Sequence, residues 1–424
     1  MNSDAINQSR LSLFEELRSS NVTFRNRVVM APMVTNFATA DNEITDRQVS
    51  YYAERARGGV GTVIVEAAVI HPSVRAFERQ VGVYDKRLIP GLSRLASAIR
   101  QEGAVALIQL HHAGPKIKTE LGLQPVSASS VQIRQGDMPR QLSIMELDQI
   151  RKDFTAAARL VFQAGFNGVE LHAAHLYLLS AFISPYTNRR DDAYGGDITS
   201  RTRLVREIIE DIKESVGSDF LLWVRINGCE ALNPGLSVEE SAQAAAMLSE
   251  AGADAIHVSA YTIAIDSKVK TGLTIPVVGL WPQLSSEQFI DSKVKTGLTI
   301  PVGSGPCRDT PSGPFLDYAK AIKQAVGIPV VAVGKLDAPA VASEAMTEGK
   351  CDMIALGRQL LCDPYWAEKV KDAREGQIVH CNYCNTCHKA LHEGKEILCA
   401  QNLNLYGKPK YKRPSVGEDG DGKM

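Results

Sequence analysis

The chain has 424 residues, 44% of them hydrophobic and 22% charged, with a formal net charge of −1. This is enough apolar content for one large barrel or two ordinary domains, and so balanced a charge excludes a general affinity for nucleic acid or an anionic membrane surface. The N-terminus lacks a signal-peptide pattern, and no segment reaches the roughly 18 apolar residues of a membrane span, so a cytoplasmic protein acting on a small-molecule substrate is expected.

Short apolar runs rich in Val and Ile occur at 27–33, 61–68, 105–110, 168–172, 220–226, 253–259, 328–334 and 352–357. Helical patterns such as 88–101, 147–164, 200–216 and 237–251 lie between them. Runs that stay apolar at nearly every position are strands covered on both faces, as parallel sheets require. Eight strand–helix units close more readily than they stay open, since an open sheet would leave two long apolar edges. The expected fold is an α/β protein built on a (β/α)8 TIM barrel. One stretch, 266–277, recurs letter for letter at 291–302 and lengthens the connection between the sixth and seventh runs. It is not a solenoid repeat and reads as a surface decoration without a physical explanation.

Four of the eight cysteines crowd the C-terminal region: Cys381, Cys384 and Cys387 in one tight loop, and Cys399 returning after a short excursion. Such a set can cap the four corners of a [4Fe–4S] cluster. Zinc is the competing use, although zinc knuckles usually take two separated Cys-x-x-Cys pairs. The remaining cysteines, Cys229, Cys307, Cys351 and Cys362, stand singly and read as small buried hydrophobes in a reducing compartment. The chain is thus divided into a barrel over 1–370, a cluster-binding segment over 371–405, and a disordered tail over 406–424, which mixes Lys, Pro, Gly and Asp without apolar period.

Barrel active sites lie beyond the C-terminal ends of the strands. Inspecting those positions gives Met33 to Thr35, Glu66-Ala67, Gln109, His111-His112, His172 to Tyr177, Arg225, His257, Gly334-Lys335 and Gly357-Arg358. Glycines after the seventh and eighth strands with a nearby cation mark a phosphate site, and next to a redox cluster this points to a phosphorylated redox cofactor. His172 and His175 can converge on one substrate oxygen, polarising a carbonyl or holding a carboxylate. Zinc is again the competing use for the pair, without an obvious third ligand. Tyr177 offers a phenol suited to giving up one proton. Arg225 places a permanent charge at the barrel mouth, where it requires an anion such as a reduced flavin ring, and Gln109 could offer that ring edge a donor and an acceptor.

These residues stand in Asn26-Arg-Val-Val-Met-Ala-Pro-Met33, Gln109-Leu-His-His-Ala-Gly114, His172-Ala-Ala-His-Leu-Tyr-Leu-Leu179 and Ser184-Pro-Tyr-Thr-Asn-Arg-Arg-Asp-Asp-Ala-Tyr-Gly-Gly196. From about Leu13 to Asn404 the chain resembles the Old Yellow Enzyme family of FMN-dependent oxidoreductases, and its cysteines resemble those of the iron–sulfur branch, which includes 2,4-dienoyl-CoA reductase, 2-enoate reductases and trimethylamine dehydrogenase. The resemblance implies that Ala31, Pro32, Met33 and Ala67 line an FMN, that Gln109 and Arg225 bind its pyrimidine edge, and that Gly334, Lys335, Gly357 and Arg358 hold its phosphate. It implies further that His172 and His175 activate the substrate, that Tyr177 donates a proton, and that Cys381, Cys384, Cys387 and Cys399 ligate [4Fe–4S]. Three positions depart from the pattern: Val34 for a Thr or Cys, Leu176 for a Gly, and Lys335 for an Arg.

The expected activity is reduction of an activated C=C bond in an enoate, enone or enoyl-CoA ester, by hydride transfer from the flavin and protonation by Tyr177. The relatives continue into a dinucleotide-binding domain and no Gly-x-Gly-x-x-Gly occurs here, so a separate electron-donor protein, a ferredoxin or flavoprotein subunit, is expected to feed the cluster. NAD(P)H as direct donor is the other route, and a homo-oligomer is the expected assembly. An amine dehydrogenase of the trimethylamine dehydrogenase type and an FMN/Fe–S electron-transfer subunit are the alternative functions.

Overall fold

The computed structural model describes residues 11–133, 138–261, 306, 308 and 310–403. The repeated segments 266–277 and 291–302, the tail 406–424 and Cys307 lie outside the described residues.

Eight parallel strands close into a barrel: β1 (Val28–Met30), β2 (Thr62–Val69), β3 (Val105–His111), β4 (Gly168–Ala173), β5 (Leu221–Glu230), β6 (Ala255–Tyr261), β7 (Val330–Val333) and β8 (Met353–Leu356). Closure is made by β8 pairing with β1, with Ile354 opposite Val28 and Leu356 opposite Met30. Each of the eight apolar runs contains the start of one of these strands, while β5 and β6 continue past their runs to Glu230 and Tyr261. Every residue of β2 and of β3 is buried, because helices cover the outside while side chains fill the inside.

The interior is layered by the two-residue period of the strands. Val29, Ile64, Leu107, Leu221, Trp223, Ala255, Val331 and Met353 form an apolar layer near the strand starts. A hairpin ahead of the barrel, Leu17–Ser19 with Val22–Phe24, contributes Phe24 to this layer, its ring centroid 5.8 Å from that of Trp223. Two or four residues further along the same strand faces stand Gln109, Glu170, His172, Arg225 and His257, all buried. The register sets Gln109 opposite Glu170 and Arg225 opposite both His172 and His257.

The helices begin where local chemistry caps them. Thr45, Ser143 and Ser237 each form a capping box, with Gln48, Glu146 and Glu240 respectively, satisfying amides that would otherwise lack partners. The Ser143–Glu146 box starts its helix at Ile144, ahead of the first buried apolar position at Leu147 from which the sequence pattern is read. Among the described residues no helix is long and apolar enough to cross a membrane.

The segment Ser184–Gly196 holds a loop rather than lining the site. Arg190 is buried and donates to the carbonyls of Ala128 at 2.9 Å and Leu142 at 2.7 Å, while Asn188 Nδ2 donates to those of Phe182 and Tyr194, both at 2.7 Å.

Phe24→Ala should lower the unfolding free energy by about 3–5 kcal/mol, the cost of a large aromatic side chain removed from a closed interior. Urea denaturation checks this, and a loss below about 1 kcal/mol would show that the hairpin is not part of the core.

Candidate active site at the mouth of the barrel

The C-terminal ends of the strands open onto a cavity of about 340 Å³. Ala31, Pro32, Met33, Ala67, Gln109, His172, His175, Tyr177, Arg225, Gly334, Gly357 and Arg358 all border it. Lys335 does not. Its ammonium donates to the carbonyls of Arg308, at 2.9 Å, and Thr310, and lies 4.6 Å from the centre of the Tyr383 ring. Met33 lies across from Gly357, where an added Cβ would stand 3.1 Å from the Met33 sulfur, so a larger residue there would narrow the cavity.

The floor has a defined polarity. Gln109 Nε2 donates to Glu170 at 2.7 Å, which occupies one of the amide's two N–H groups and fixes its orientation, leaving the second N–H and the carbonyl oxygen. The second Glu170 oxygen lies 2.7 Å from His257 Nδ1. Burial lowers the pKa of Arg225, and the charge of Glu170 opposes that shift. The Arg225 guanidinium reaches Ser259 Oγ at 3.4 Å, while its Nε has no hydrogen-bond partner among the described residues. An unpaired buried guanidinium donor is costly, and it fits the acceptor-rich edge of a flavin.

Three imidazoles and a phenol form one wall. The His172 ring is 5.1 Å from His175, 5.4 Å from His111 and 4.8 Å from Tyr177, and His111 is 4.4 Å from Tyr177. His175 Nε2 lies 2.8 Å from Ser259 Oγ. Burial pushes His172 and His175 well below the usual imidazole range, and it pushes His111 and His112 down to about 3. The neutral rings of His111, His172 and His175 border the cavity, each carrying one N–H. His175 and Leu176 adopt left-handed backbone conformations, with φ of 61° and 53°. That region favours glycine, and burial of the Leu176 side chain against Leu232 offsets the strain.

Of the other sequence-derived positions, Glu66 and His257 turn into the protein. Glu66 accepts from Thr35 N at 2.8 Å and Gln48 Nε2 at 3.1 Å, and it holds the loop after β1. His112 Nδ1 accepts from Gly114 N at 3.0 Å and shapes the turn after β3.

The cysteine segment packs beside the cavity, with Cys387, His388, Leu391 and Ile397 on its border. Arg358 links the two regions, donating to Asn385 Oδ1 at 2.6 Å and to the Pro306 carbonyl at 2.5 Å. Cys381, Cys384, Cys387 and Cys399 line a closely packed pit of about 10 Å³, together with Cys362. Cys362 thus corrects its reading as an isolated buried hydrophobe: its sulfur is 3.4 Å from that of Cys399. Hydrogen bonds with the Cys362 thiol hold Cys381 and Cys399 below the ordinary thiol range and push Cys362 up. Cys384 is exposed and lies 3.2 Å from Thr386 Oγ1. No three His, Cys, Asp or Glu side chains among the described residues converge on a single metal position. The thiol-rich donor set suits a cubane, which spreads its ligands over four irons, more than tetrahedral zinc. Seating one requires the cysteine loops to part.

The sequence reading did not assign roles to Glu170, His111 or Lys116. Glu170 could have been found from strand period alone, since it shares a face with His172. Lys116 borders the cavity with its ammonium 4.9 Å from the centre of the Tyr177 ring, a placement fixed by the turn at Gly114–Lys116 and invisible in the sequence.

Residues 12–304 and 305–377 match the family model described as NADH:flavin oxidoreductase / NADH oxidase family. The chain is 37% identical over 378 residues to an NADH oxidase of Thermoanaerobacter brockii, covering 88% of this chain and 53% of that protein. A structure of 2-naphthoyl-CoA reductase with 2-naphthoyl-CoA superimposes with a TM-score of 0.81 at 26% identity, covering 93% of this chain and 57% of that one. Histamine dehydrogenase from Rhizobium sp. 4-9 shares the fold, with a TM-score of 0.78 at 24% identity over 94% of this chain and 53% of that one. The chain spans about half the length of the curated relatives it matches.

Burial of neutral imidazoles gives stability a pH dependence of definite sign. Between the unfolded value of about 6.5 and the folded value of about 3, the unfolded chain binds more protons than the fold, so stability falls as pH drops through that window. Glu66 and Glu230, held above the usual carboxylate range by burial, act in the opposite direction. Comparing urea midpoints of the native protein and His112→Asn from pH 7.5 to 4 isolates one imidazole. The variant should lose less on acidification, and parallel curves would contradict the assignment.

Proposed function

Because the chain belongs to the NADH:flavin oxidoreductase / NADH oxidase family, we propose that it binds FMN and a [4Fe–4S] cluster and reduces an activated C=C bond of a small molecule, an enoate, enone or enoyl-CoA ester. The observation that carries this reading is the composition of the cavity border: His172, His175 and Tyr177 on one wall, Lys116, Arg225 and Arg358 around them, and no Asp or Glu among the described residues. Such a surface favours an electron-rich carbonyl or carboxylate and repels a cationic amine, which sets the amine dehydrogenase alternative second. A subunit that only relays electrons would have no use for a cavity bordered by His111, both of whose ring nitrogens are buried without hydrogen-bond partners among the described residues.

Bound FMN would supply a hydride, two electrons with one proton, to the β-carbon of the substrate. Gln109 would accept from the flavin's pyrimidine edge and Arg225 would donate to it, matching the negative charge that edge gains on reduction. Ala31, Pro32, Met33 and Ala67 would lie along the flavin. Gly334, Gly357 and Arg358 would hold its phosphate, with Arg358 leaving part of its present bonding to do so. His172 and His175 would donate N–H groups to the substrate's carbonyl oxygen, and Tyr177 would give a proton to the α-carbon. The name of the Thermoanaerobacter brockii relative supports NADH as electron source. Exposed Cys384, with Leu398 at its side of the pit, supports a second route through the cluster from a separate donor protein.

Tyr177→Phe should slow turnover of a small enone by about 10²–10⁴-fold, the usual range for a removed general acid, while leaving the rate of flavin reduction unchanged in stopped-flow. An equal loss in both half-reactions would sink the assignment. Anaerobically purified protein should also contain FMN, iron and acid-labile sulfide, and zinc in place of iron would exclude the cluster.

A further inference from the structure

We propose that Lys116 and His111 form an anion subsite beside the His172–His175 pair, so that the substrate's activating group is a free carboxylate rather than a ketone or a thioester. This rests on the reaction proposed above and narrows its substrate to an α,β-unsaturated acid.

The backbone fixes where Lys116 stands. It closes the turn Gly114–Lys116, in which Ala113 N donates to the Val74 carbonyl at 2.8 Å and Lys116 N donates to the Ala113 carbonyl at 3.0 Å. Gly114 has a φ of 58°, and a Cβ there would stand 2.7 Å from the Leu178 backbone, so the turn is pressed against the start of the helix Leu178–Ile183 that follows Tyr177. Ile117, the next residue, is buried. Lys116 is thereby held on the cavity border, with its ammonium 4.9 Å from the centre of the Tyr177 ring and a long stem that can reach a ligand.

His111 supplies an independent observation. It is buried, borders the same cavity and lies 4.4 Å from the same Tyr177 ring, and neither of its ring nitrogens has a hydrogen-bond partner among the described residues. A buried polar group in that state is unfavourable, and an oxygen acceptor on a bound ligand satisfies its N–H. The Tyr177 ring thus has both an N–H donor and a cation against it.

Charge decides the class of ligand. Among the described residues the border carries three cations. The charge of Glu170 acts on Arg225, and Arg358 donates to Asn385 and Pro306. Lys116 stands with the imidazoles instead: after burial, its charge is among those that lower the pKa values of His111, His172 and His175. A ketone or thioester carbonyl needs only N–H donors, which neutral rings provide. A carboxylate needs a full positive charge, and more so during reaction. Hydride from the reduced flavin breaks the C=C π bond at the β-carbon and leaves a second negative charge spread over the α-carbon and the carboxylate. The proton from Tyr177 then forms the α-carbon–hydrogen bond, and the product is the saturated acid with its single charge. A permanent cation at Lys116 favours the doubly charged species more than the substrate.

The test compares crotonate with two uncharged analogues, ethylideneacetone and crotonamide, on the anaerobically purified full chain. Turnover with dithionite as reductant gives kcat/KM for crotonate and ethylideneacetone, and calorimetric titration of the oxidised protein gives dissociation constants for crotonate and crotonamide. Lys116→Met removes the charge and keeps an unbranched stem. It should lower both the crotonate-to-ethylideneacetone ratio of kcat/KM and the crotonate-to-crotonamide ratio of affinities by about 10–100-fold, the usual contribution of a hydrogen bond to a charged group. Lys116→Arg should recover most of both ratios, and His111→Phe, which keeps a ring without nitrogens, should lower them by about tenfold. Circular dichroism at the native level shows that each variant has folded. A Lys116 that only supports its turn would weaken charged and uncharged compounds alike. Unmoved ratios in Lys116→Met or His111→Phe, or native protein that reduces ethylideneacetone but neither binds nor reduces crotonate, overturn the inference while the proposed function stands. If native protein reduces neither compound, the proposed reaction falls and the binding ratios alone decide the anion subsite.

Discussion

The arrangement of the barrel mouth depends on one buried carboxylate, Glu170. It is fully enclosed, its oxygens are taken by Gln109 and His257, and its charge acts on Arg225. Removing one partner of a buried charge pair typically costs about 3–5 kcal/mol, because the other is left uncompensated. That cost fixes more than stability. With Glu170 in place the Gln109 amide cannot turn over, so the floor of the cavity presents an acceptor at Gln109 beside a cation at Arg225.

Among the described residues no Asp or Glu borders the cavity, and burial keeps its imidazoles uncharged. The first property favours substrates that carry electron density toward the wall. The second lets His172 and His175 act as hydrogen-bond donors without adding charges that would repel Arg225. Both follow from depth: where desolvation dominates, a histidine remains neutral and a carboxylate is tolerated only inside a network like that of Glu170.

The cysteine segment is coupled to this chemistry through the short helix after β8. That helix places Arg358 between cavity and thiols and Cys362 against Cys399, and through Gln359 and Leu361 it holds the cysteine loop from both sides. One short helix thus borders the cavity through Arg358 and the cysteine pit through Cys362.

Much of the barrel was legible in the chain because parallel strands covered on both faces must be apolar along their length, and eight such runs alternate with helical patterns. The barrel rule that sites lie past strand ends then drew attention to Gln109, His172, Tyr177 and Arg225, all of which border the cavity. Lys335 was not separable from Arg358 in sequence, since both are cations following a glycine. Both lie beside the Tyr383 ring, and only the fold places Arg358, and not Lys335, on the cavity border.

What the sequence determined by itself was period and composition: which residues alternate inward, how many strands close, and where thiols are dense. What tertiary structure alone decided was proximity across the chain. Cys362 reads as a hydrophobe at a helix end and becomes a thiol facing Cys399 only because β8 and the cysteine loop are brought side by side. Glu170 becomes the anchor of Gln109 and His257 only through strand register. Distances between residues far apart in sequence are set by packing, which no local pattern encodes.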